Sequence, residues 1–293
     1  MSATANTTAT TTRATRRSSS GLVNTLRGIY IVWYRDLLRW WRDRIRIVVS
    51  LAQPLLFLIV FGVGLGSSLG GGFGAGANGS VGYGEFVFPG VVGMAVLFSA
   101  IFGAMSIVWD REFGFLKEIL VAPIDRSAVA IGKALGGATQ AVFQGLILLV
   151  LAPFLGVTLT VGSVLLVIPF IFVLAFALSA MGVALASRMK SMQGFQVVIN
   201  FLVMPMFFLS GSLFPLAGLP HWMTVLTRLD PVSYGMDPIR RVLLGASLPA
   251  GATDQLGLVV FGWTLPIAVE ALVLLAFGAV MLSLAVINFR RRE

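Results

Sequence analysis

Residues 109–123 read WDREFGFLKEILVAP and form a short charged segment between two long apolar runs. Phe113, Leu116 and Leu120 recur at helical spacing, and Pro123 is expected to end the helix. A polar helix this short, attached at both ends to membrane spans, stays beside the bilayer, where a soluble partner can push on it. A solvated loop with some helical character fits the pattern equally well, because short periodic signals are weak.

The composition indicates a membrane protein. Of the 293 residues, 57% are hydrophobic and only 11% are charged, which is far fewer charges than a soluble domain carries. The absence of cysteine excludes disulfides and thiolate metal sites, and the single histidine, His221, excludes a multi-histidine metal site. The net charge of +9 does not indicate nucleic acid as a partner, because the basic residues cluster beside the apolar runs, where they suit membrane topology and anionic lipid.

We therefore predict an all-α polytopic membrane protein whose six-span permease domain covers residues 46–289. About 20 residues at about 1.5 Å each cross the ~30 Å hydrocarbon core. The predicted spans are about residues 47–69, 86–109, 129–155, 164–187, 195–214 and 263–289.

The two ends of the chain have a different character. Residues 1–21 are mostly Ser, Thr and Ala, which predicts a disordered cytosolic tail. Residues 22–45 interleave tryptophans with arginines, a pattern typical of an amphipathic connecting helix lying in the headgroup layer. Residues 290–293 form a short basic cytosolic end.

Residues 215–262, between the last two spans, are of intermediate hydrophobicity. Apolar side chains such as Trp222, Val225 and Leu229 recur at helical spacing, but the pieces are too short to cross a bilayer and too apolar for an open loop. Non-helical backbone at membrane depth is tolerated only inside protein or along a water-filled cavity. We expect a pair of short re-entrant or interfacial helices on the outer side.

The basic residues predict the orientation. Of the 21 Lys and Arg residues, all but Arg228, Arg240 and Arg241 fall on the side that carries the chain's termini. The positive-inside rule places that side in the cytosol, so the segment 110–127 is predicted to be cytosolic and region 215–262 to face outward.

No catalytic constellation is evident, because the carboxylates are scattered and lack histidine or cysteine partners. Glu270 is the only acid well inside a predicted span, where ionisation costs about 3 kcal/mol. An ion pair with Arg240 or Arg241 is the favoured interpretation, and a proton relay is the alternative. So few intramembrane charges, and no glycine-rich nucleotide site, suggest that any energy for transport comes from a partner.

Three stretches resemble the permease subunits of type-2 ATP-binding-cassette exporters, the group that includes daunorubicin-resistance and nodulation-factor export permeases. Phe88-Pro89-Gly90 opens the second span as in that family. Residues 111–123 resemble the family's RE…GTLE.L..API segment, with differences at Phe115, Lys117 and Ile119, and residues 230–240 resemble its NP..Y..D.LR segment.

The resemblance implies an assembly of two permeases with two cytosolic ATPase subunits on separate chains. The ATPase subunits would bind ATP and Mg, so no cofactor is expected on this chain, and it would be a transport subunit and not an enzyme. The residues implied to dock on the ATPase are Arg111, Glu112, Phe115, Leu116, Lys117, Glu118 and Leu120. The outer re-entrant motif would comprise Asp230, Pro231, Tyr234, Asp237 and Arg240.

Substrate would then move between two permease copies, along the first, second and fifth spans. The apolar candidates for that pathway are Phe57, Phe61, Phe98, Phe102, Met204, Phe207 and Phe208. The expected function is export of a hydrophobic or amphipathic substrate, such as a drug, a lipid-linked glycan or a peptide, across the cytoplasmic membrane of a prokaryote. The expected partners are the ATPase, membrane lipids and a second permease, as a homodimer or heterodimer. The rival functions are a gradient-driven carrier using Glu270 and a non-transporting scaffold.

Overall fold

The computed structural model describes residues 17–66, 82–113, 125–216, 219–245, 257–260 and 263–291. Nearly all of these residues are helical, which confirms the all-α fold class. The helices are α1 (Arg17–Arg42), α2 (Arg44–Phe57, continued by a π-helix at Leu58–Leu65), α3 (Tyr83–Gly103), α4 (Met105–Glu112), α5 (Arg126–Leu149, followed by a 3-10 turn at Ala152–Leu155), α6 (Val161–Arg188), α7 (Met192–Leu209), α8 (His221–Leu229), α9 (Ser233–Leu244) and α10 (Ile267–Arg291). Strands β1 (Val259–Val260) and β2 (Trp263–Thr264) pair antiparallel.

Six helical stretches within the described residues are long and apolar enough to cross a membrane. They are Arg44–Gly62, Tyr83–Glu112, Arg126–Phe154, Val161–Arg188, Met192–Leu209 and Ile267–Arg290. Contacts of Arg46 with Phe102, of Arg111 with Ala186 and of Asn288 with Ser187 bring the start of α2 and the ends of α4, α6 and α10 to one side of the bundle. We call this side the terminal side and the opposite side the outer side.

Most span boundaries differ from the predictions by three residues or more, and local chemistry explains two of these differences. The fifth span ends at Leu209 and not at Phe214, because Gly211 adopts a left-handed φ of 74° that a helix cannot continue through. The sixth span begins at Ile267 and not at Trp263, which lies in β2. Pro266 explains this start, because proline favours the beginning of a helix and an extended conformation in the residue before it. The second span continues past Trp109 to Glu112, so the charged segment begins inside the helix.

The amphipathic helix α1 packs one face against α5. It begins at Arg17, within the predicted disordered tail, and the rest of that tail lies outside the described residues. Its buried stripe repeats every four residues, at Val32, Asp36 and Trp40, as a helix with one covered face requires. Trp40 stacks on Phe143 of α5 at a centroid distance of 6.0 Å. The opposite face, including Trp41, is exposed.

The centre of the bundle is α3, which packs against α5 and α6 and is buried along most of its length. Small residues set the spacing of these helices. A Cβ on Gly103 would come within 3.1 Å of the Cα of Gly137, and a Cβ on Gly182 would come within 3.1 Å of the Cβ of Ala104. In lipid, where water does not drive helices together, such close approach supplies the van der Waals contact that holds a bundle.

The outer region contains two short helices, α8 and α9, joined by a tight turn at Asp230–Val232. Helix α9 is largely buried against α3, α6 and α10, whereas α8 keeps Trp222 and Leu229 exposed. A helix of this length that is enclosed on most sides fits a re-entrant segment held inside protein.

Candidate functional site

The end of α4 and the start of α5 are the parts of the expected coupling segment, residues 110–127, that the structure describes. Arg111 and Glu112 belong to the end of α4, whereas Phe115, Leu116, Lys117, Glu118 and Leu120 fall in residues 114–124, outside the described residues. The site is therefore defined by what flanks residues 114–124: α4 before them and α5 after them.

Arg111 and Glu112 connect α4 to the turn between α6 and α7. The Arg111 guanidinium donates to the carbonyl oxygens of Ala186 at 3.3 Å and Ser187 at 3.1 Å, and also to that of Met189. These are carbonyls of the last turn of α6 and its cap, where a helix leaves carbonyls without intrahelical partners, and that of Ala186 also accepts from the Met189 N–H at 3.2 Å. A carboxylate oxygen of Glu112 accepts from the backbone N–H of Met192 at 3.0 Å, at the start of α7. Two adjacent side chains thus bind the end of one helix and the beginning of the next.

The preceding residue, Asp110, points to a different part of the bundle. Lys133 of α5 donates to Asp110 at 3.2 Å, to Asp36 of α1 at 3.1 Å and to the Ser106 hydroxyl at 3.0 Å. We call these four residues the Lys133 cluster. Asp36, Asp110 and Lys133 are each less than 8% exposed. Successive helical residues are about 100° apart, which is why Asp110, Arg111 and Glu112 reach different neighbours.

Charge in the Lys133 cluster is balanced from the protein surface. Two carboxylates surround one ammonium, and the guanidinium groups of Arg35 and Arg39, at 3.7 and 3.5 Å from Asp110, supply further positive charge at the rim. Buried charges persist only when they are paired and hydrogen-bonded, which this arrangement achieves. The expectation that the carboxylates are merely scattered is wrong for Asp36 and Asp110.

Sequence reasoning missed the Lys133 cluster, although signals for it were present. Asp36 lies in the same four-residue stripe of α1 as Val32 and Trp40, and Lys133 lies among the small and apolar residues of the stretch IGKALGG in the third predicted span. Charged residues at such buried positions usually have charged partners. The identity of the partner could not be deduced, since Asp36 and Lys133 are 97 residues apart.

A second charged group lies on the outer side, between α9 and α10. Arg241 donates to Glu270 at 3.1 Å, to the Leu265 carbonyl at 2.8 Å and to Asp237. Asp237 also accepts from the Leu258 N–H at 2.8 Å, beside β1. Glu270, which is fully buried, therefore has the ion-pair partner that the favoured interpretation required, and that partner is Arg241 and not Arg240.

Arg240 makes a separate set of contacts. It donates to the Gly211 carbonyl and lies over the ring of Phe86, 4.7 Å from the centroid. Burial lowers the pKa of Arg240 to about 10, so the side chain stays cationic at neutral pH. Arg240 thus joins α9 to the start of α3 and to the end of the fifth span.

The remaining residues of the outer motif shape the turn between α8 and α9. Oδ1 of Asp230 accepts from the Val232 N–H at 3.0 Å, next to Pro231, and the Tyr234 hydroxyl donates to the Arg228 carbonyl at 2.8 Å. Burial raises the pKa of Asp230 to about 7. All five predicted motif residues therefore lie in one structural unit.

The predicted pathway residues do not form one surface. Phe57 stacks on Phe61 at 5.3 Å and meets Phe207 edge-on at 6.1 Å. Phe207 is only 1% exposed, which corrects its prediction as a lining residue: in this conformation it is part of the core. Met204 and Phe208, on the same helix, are nearly half exposed.

Phe98 and Phe102 line a different surface. They stack at 6.0 Å along α3 and border a groove of about 270 Å³ whose other wall carries Ser50, Gln140 and Gln144. Within the residues that the structure describes, no cluster of His, Asp and Glu has the arrangement of a metal site.

The six spans, the two short outer helices and the charged end of α4 define a polytopic membrane permease. The family model described as ABC-2 type transporter matches residues 27–244. The chain therefore belongs to the ABC-2 type transporter family, as a multi-pass permease subunit, which confirms the resemblance found from three short stretches.

Named relatives agree with this assignment. Nodulation protein J of Rhizobium leguminosarum bv. trifolii is 28% identical over 217 residues, which are 73% of this chain and 80% of that protein. Inner membrane transport permease YadH of Escherichia coli (strain K12) is 26% identical over 216 residues, which are 73% of this chain and 82% of that protein. The expectation of a transport subunit and not an enzyme is confirmed by this family and by these names.

Proposed function

We propose that this permease is the membrane subunit of an ATP-driven exporter for a hydrophobic or amphipathic substrate. Two cytosolic ATPase subunits would bind ATP and Mg and would act on residues 114–124. The observation that carries the proposal is the end of α4, where Asp110, Arg111 and Glu112 contact the helices α1, α5, α6 and α7 just before that segment.

The mechanism follows from these contacts. A displacement of residues 114–124 moves the end of α4 and the start of α5 together, because Asp110 and Lys133 pair across the segment at 3.2 Å. Asp36 carries that movement to α1, while Arg111 and Glu112 carry it to the α6–α7 turn. A packed, hydrogen-bonded unit of this kind shifts as a body between discrete arrangements and does not deform gradually.

The membrane arrangement belongs to the same proposal. The terminal side, with both termini, faces the cytosol of a prokaryotic cell, and α8 and α9 face outward. A second copy of the permease, as a homodimer, completes the substrate path. Exposed apolar side chains on α2 and α7, such as Ile59 and Phe201, supply a surface for lipid or for that second copy.

The proposal is tested by gentle detergent purification of the tagged chain from its native host, with mass spectrometry of whatever co-purifies. We expect a stoichiometric ATPase subunit, and we expect Glu118→Lys, within the expected docking segment, to remove it. The control is Glu85→Lys, at the outer end of α3, which should leave the complex intact. A chain that purifies alone and shows no nucleotide-dependent flux in vesicles would overturn the proposal.

A further inference from the structure

A cavity of about 580 Å³ lies between α6, α7, α10 and the turn that joins α8 to α9. Its wall is almost wholly apolar and includes Leu185, Met206 and Phe277. It extends from Arg188 and Asn288 on the terminal side to Asp230 and Pro231 at the α8–α9 turn. None of the predicted pathway residues lines it.

Asp230 is the one acidic residue on this wall among the described residues. The residue is 5% exposed, and its Oδ1 accepts a hydrogen bond from the Val232 N–H. Its Oδ2 is buried and has no partner of normal hydrogen-bond geometry within the part of the chain that the structure describes, although the Ser233 hydroxyl, itself buried and without such a partner there, lies close enough to favour the charged form. A buried carboxylate oxygen without a partner is costly, so its position beside a large apolar cavity indicates a ligand that supplies one.

The charges of the cavity indicate the sign of that ligand. The other charged residue on the wall, Arg188, lies at the opposite end, in the last turn of α6. A ligand at the α8–α9 end of the cavity therefore meets a carboxylate and apolar side chains, whereas an anion there would meet like charge. Electrostatic complementarity of this kind selects the sign of a partner.

We propose that this cavity binds a hydrophobic cation, whose apolar body packs against α6, α7 and α10 and whose charge lies beside Asp230. The proposal concerns binding to this chain alone. It goes beyond the exporter proposal and does not depend on the ATPase, so the two can fail separately.

The test is equilibrium dialysis of the purified protein, in a non-ionic detergent, against tetraphenylphosphonium and against its anionic counterpart of the same shape, tetraphenylborate. We expect the protein to bind tetraphenylphosphonium, and we expect Asp230→Asn to weaken this at least tenfold. The asparagine keeps an oxygen that can accept from the Val232 N–H, so the turn is preserved. The matched control is Asp125→Asn, at the N-cap of α5 and away from the cavity, which should not change binding.

The pH dependence supplies a second readout, since tetraphenylphosphonium has no titrating proton. Because burial raises the pKa of Asp230 to about 7, binding should strengthen between pH 5.5 and pH 8.5 in the unaltered protein and not in Asp230→Asn. The other ionisable groups on the surrounding elements are present in both proteins and cancel in the comparison. They are Arg188 on α6, His221 and Arg228 on α8, Tyr234, Asp237, Arg240 and Arg241 on α9, and Glu270, Arg290 and Arg291 on α10.

A cavity-filling variant makes the test independent of the charge change. Met281→Trp on α10 should abolish tetraphenylphosphonium binding by occupying the space. Equal binding by the unaltered protein and Asp230→Asn would overturn the proposal, as would tighter binding of tetraphenylborate, which would indicate an anionic lipid as the occupant. Binding of neither ion would also overturn it.

Discussion

Lys133 shows what a single charge does inside this bundle. Its ammonium group lies between two buried carboxylates, and the exposed Arg35 and Arg39 reach the same cluster from outside. Removing one partner of a buried ion pair leaves the other charge uncompensated, whereas removing an exposed partner lets water replace it. The buried and exposed members of the cluster therefore allow a matched comparison.

We predict that Lys133→Met destabilises the protein by about 3–5 kcal/mol, because Asp36 and Asp110 lose their shared partner. Arg39→Met, at a side chain that is 58% exposed, should change stability by no more than about 1 kcal/mol. The measurement is the apparent Tm of the detergent-solubilised variants. Equal Tm shifts for the two substitutions would show that the buried ion pairs stabilise the protein no more than the exposed one.

The raised pKa of Asp230 leads us to predict that the stability of the protein depends on pH. Burial raises the pKa of Asp230 from the ordinary 3.8 to about 7 in the folded protein, so the folded state binds more protons than the unfolded chain between these values. Stability from this group is therefore present at low pH and is lost as the pH rises through about 7. Between pH 5 and pH 8 the loss is on the order of 2 kcal/mol.

The expected result is that Asp230→Asn is more stable than the unaltered protein at pH 8, and that this advantage shrinks or disappears at pH 5. The measurement is the apparent Tm of each protein across this pH range. The difference in Tm between the two proteins at each pH reports the contribution of Asp230 alone. A difference that stays constant with pH would show that Asp230 remains ionised when folded.

At the scale of one element, α4 concentrates the connections of the site in three consecutive residues. The Glu112 contact can be changed without altering the Lys133 cluster, since its partner is the Met192 N–H at the start of α7. Such a contact resembles an N-terminal helix cap, which contributes about 0.5–2 kcal/mol. That is too little to unfold a bundle but enough to loosen one connection.

We predict that Glu112→Ala lowers the ATP hydrolysis of the permease–ATPase complex severalfold while membrane insertion is unaffected. Glu112→Gln should retain most of the activity, because its amide oxygen can still accept from the Met192 N–H. Phosphate release by the reconstituted complex is the measurement. If the glutamine variant loses as much activity as the alanine variant, the charge of Glu112 acts on the ATPase directly.

At the scale of the whole molecule, the question is which energy source moves the bundle. Glu270 is fully buried and pairs with Arg241, which also binds Asp237 and the Leu265 carbonyl. A carboxylate used in this way connects α10 to α9, and its loss would leave Arg241 with one partner fewer. These contacts support a structural role for Glu270, in preference to a proton relay.

We therefore expect export in inverted membrane vesicles to continue when a protonophore removes the proton gradient and ATP is kept high. Glu270→Gln, which retains an oxygen for Arg241, should export at close to the normal rate. Export that stops with the protonophore, together with an inactive Glu270→Gln, would favour the gradient-driven carrier.

Much of the fold was predictable from the sequence because lipid imposes simple rules. A helix in hydrocarbon must be about 20 apolar residues long, so the six spans follow from hydropathy alone. Their ends were less predictable, because a boundary depends on local backbone chemistry. The left-handed Gly211 and the helix-starting Pro266 move two boundaries by several residues, which the average hydropathy of a span does not reveal.

The sequence by itself determined the class of the protein, its span count and the position of the charged segment after α4, since these depend on composition and on short-range periodicity. Only the tertiary structure decided which charges meet. Lys133 finds Asp36 across 97 residues, and Glu270 selects Arg241 instead of the adjacent Arg240. It also decided that Phe207 is buried and that Asp230 borders a cavity. Pairings and cavities of this kind depend on how helices rotate and pack against one another, which no local pattern in the chain specifies.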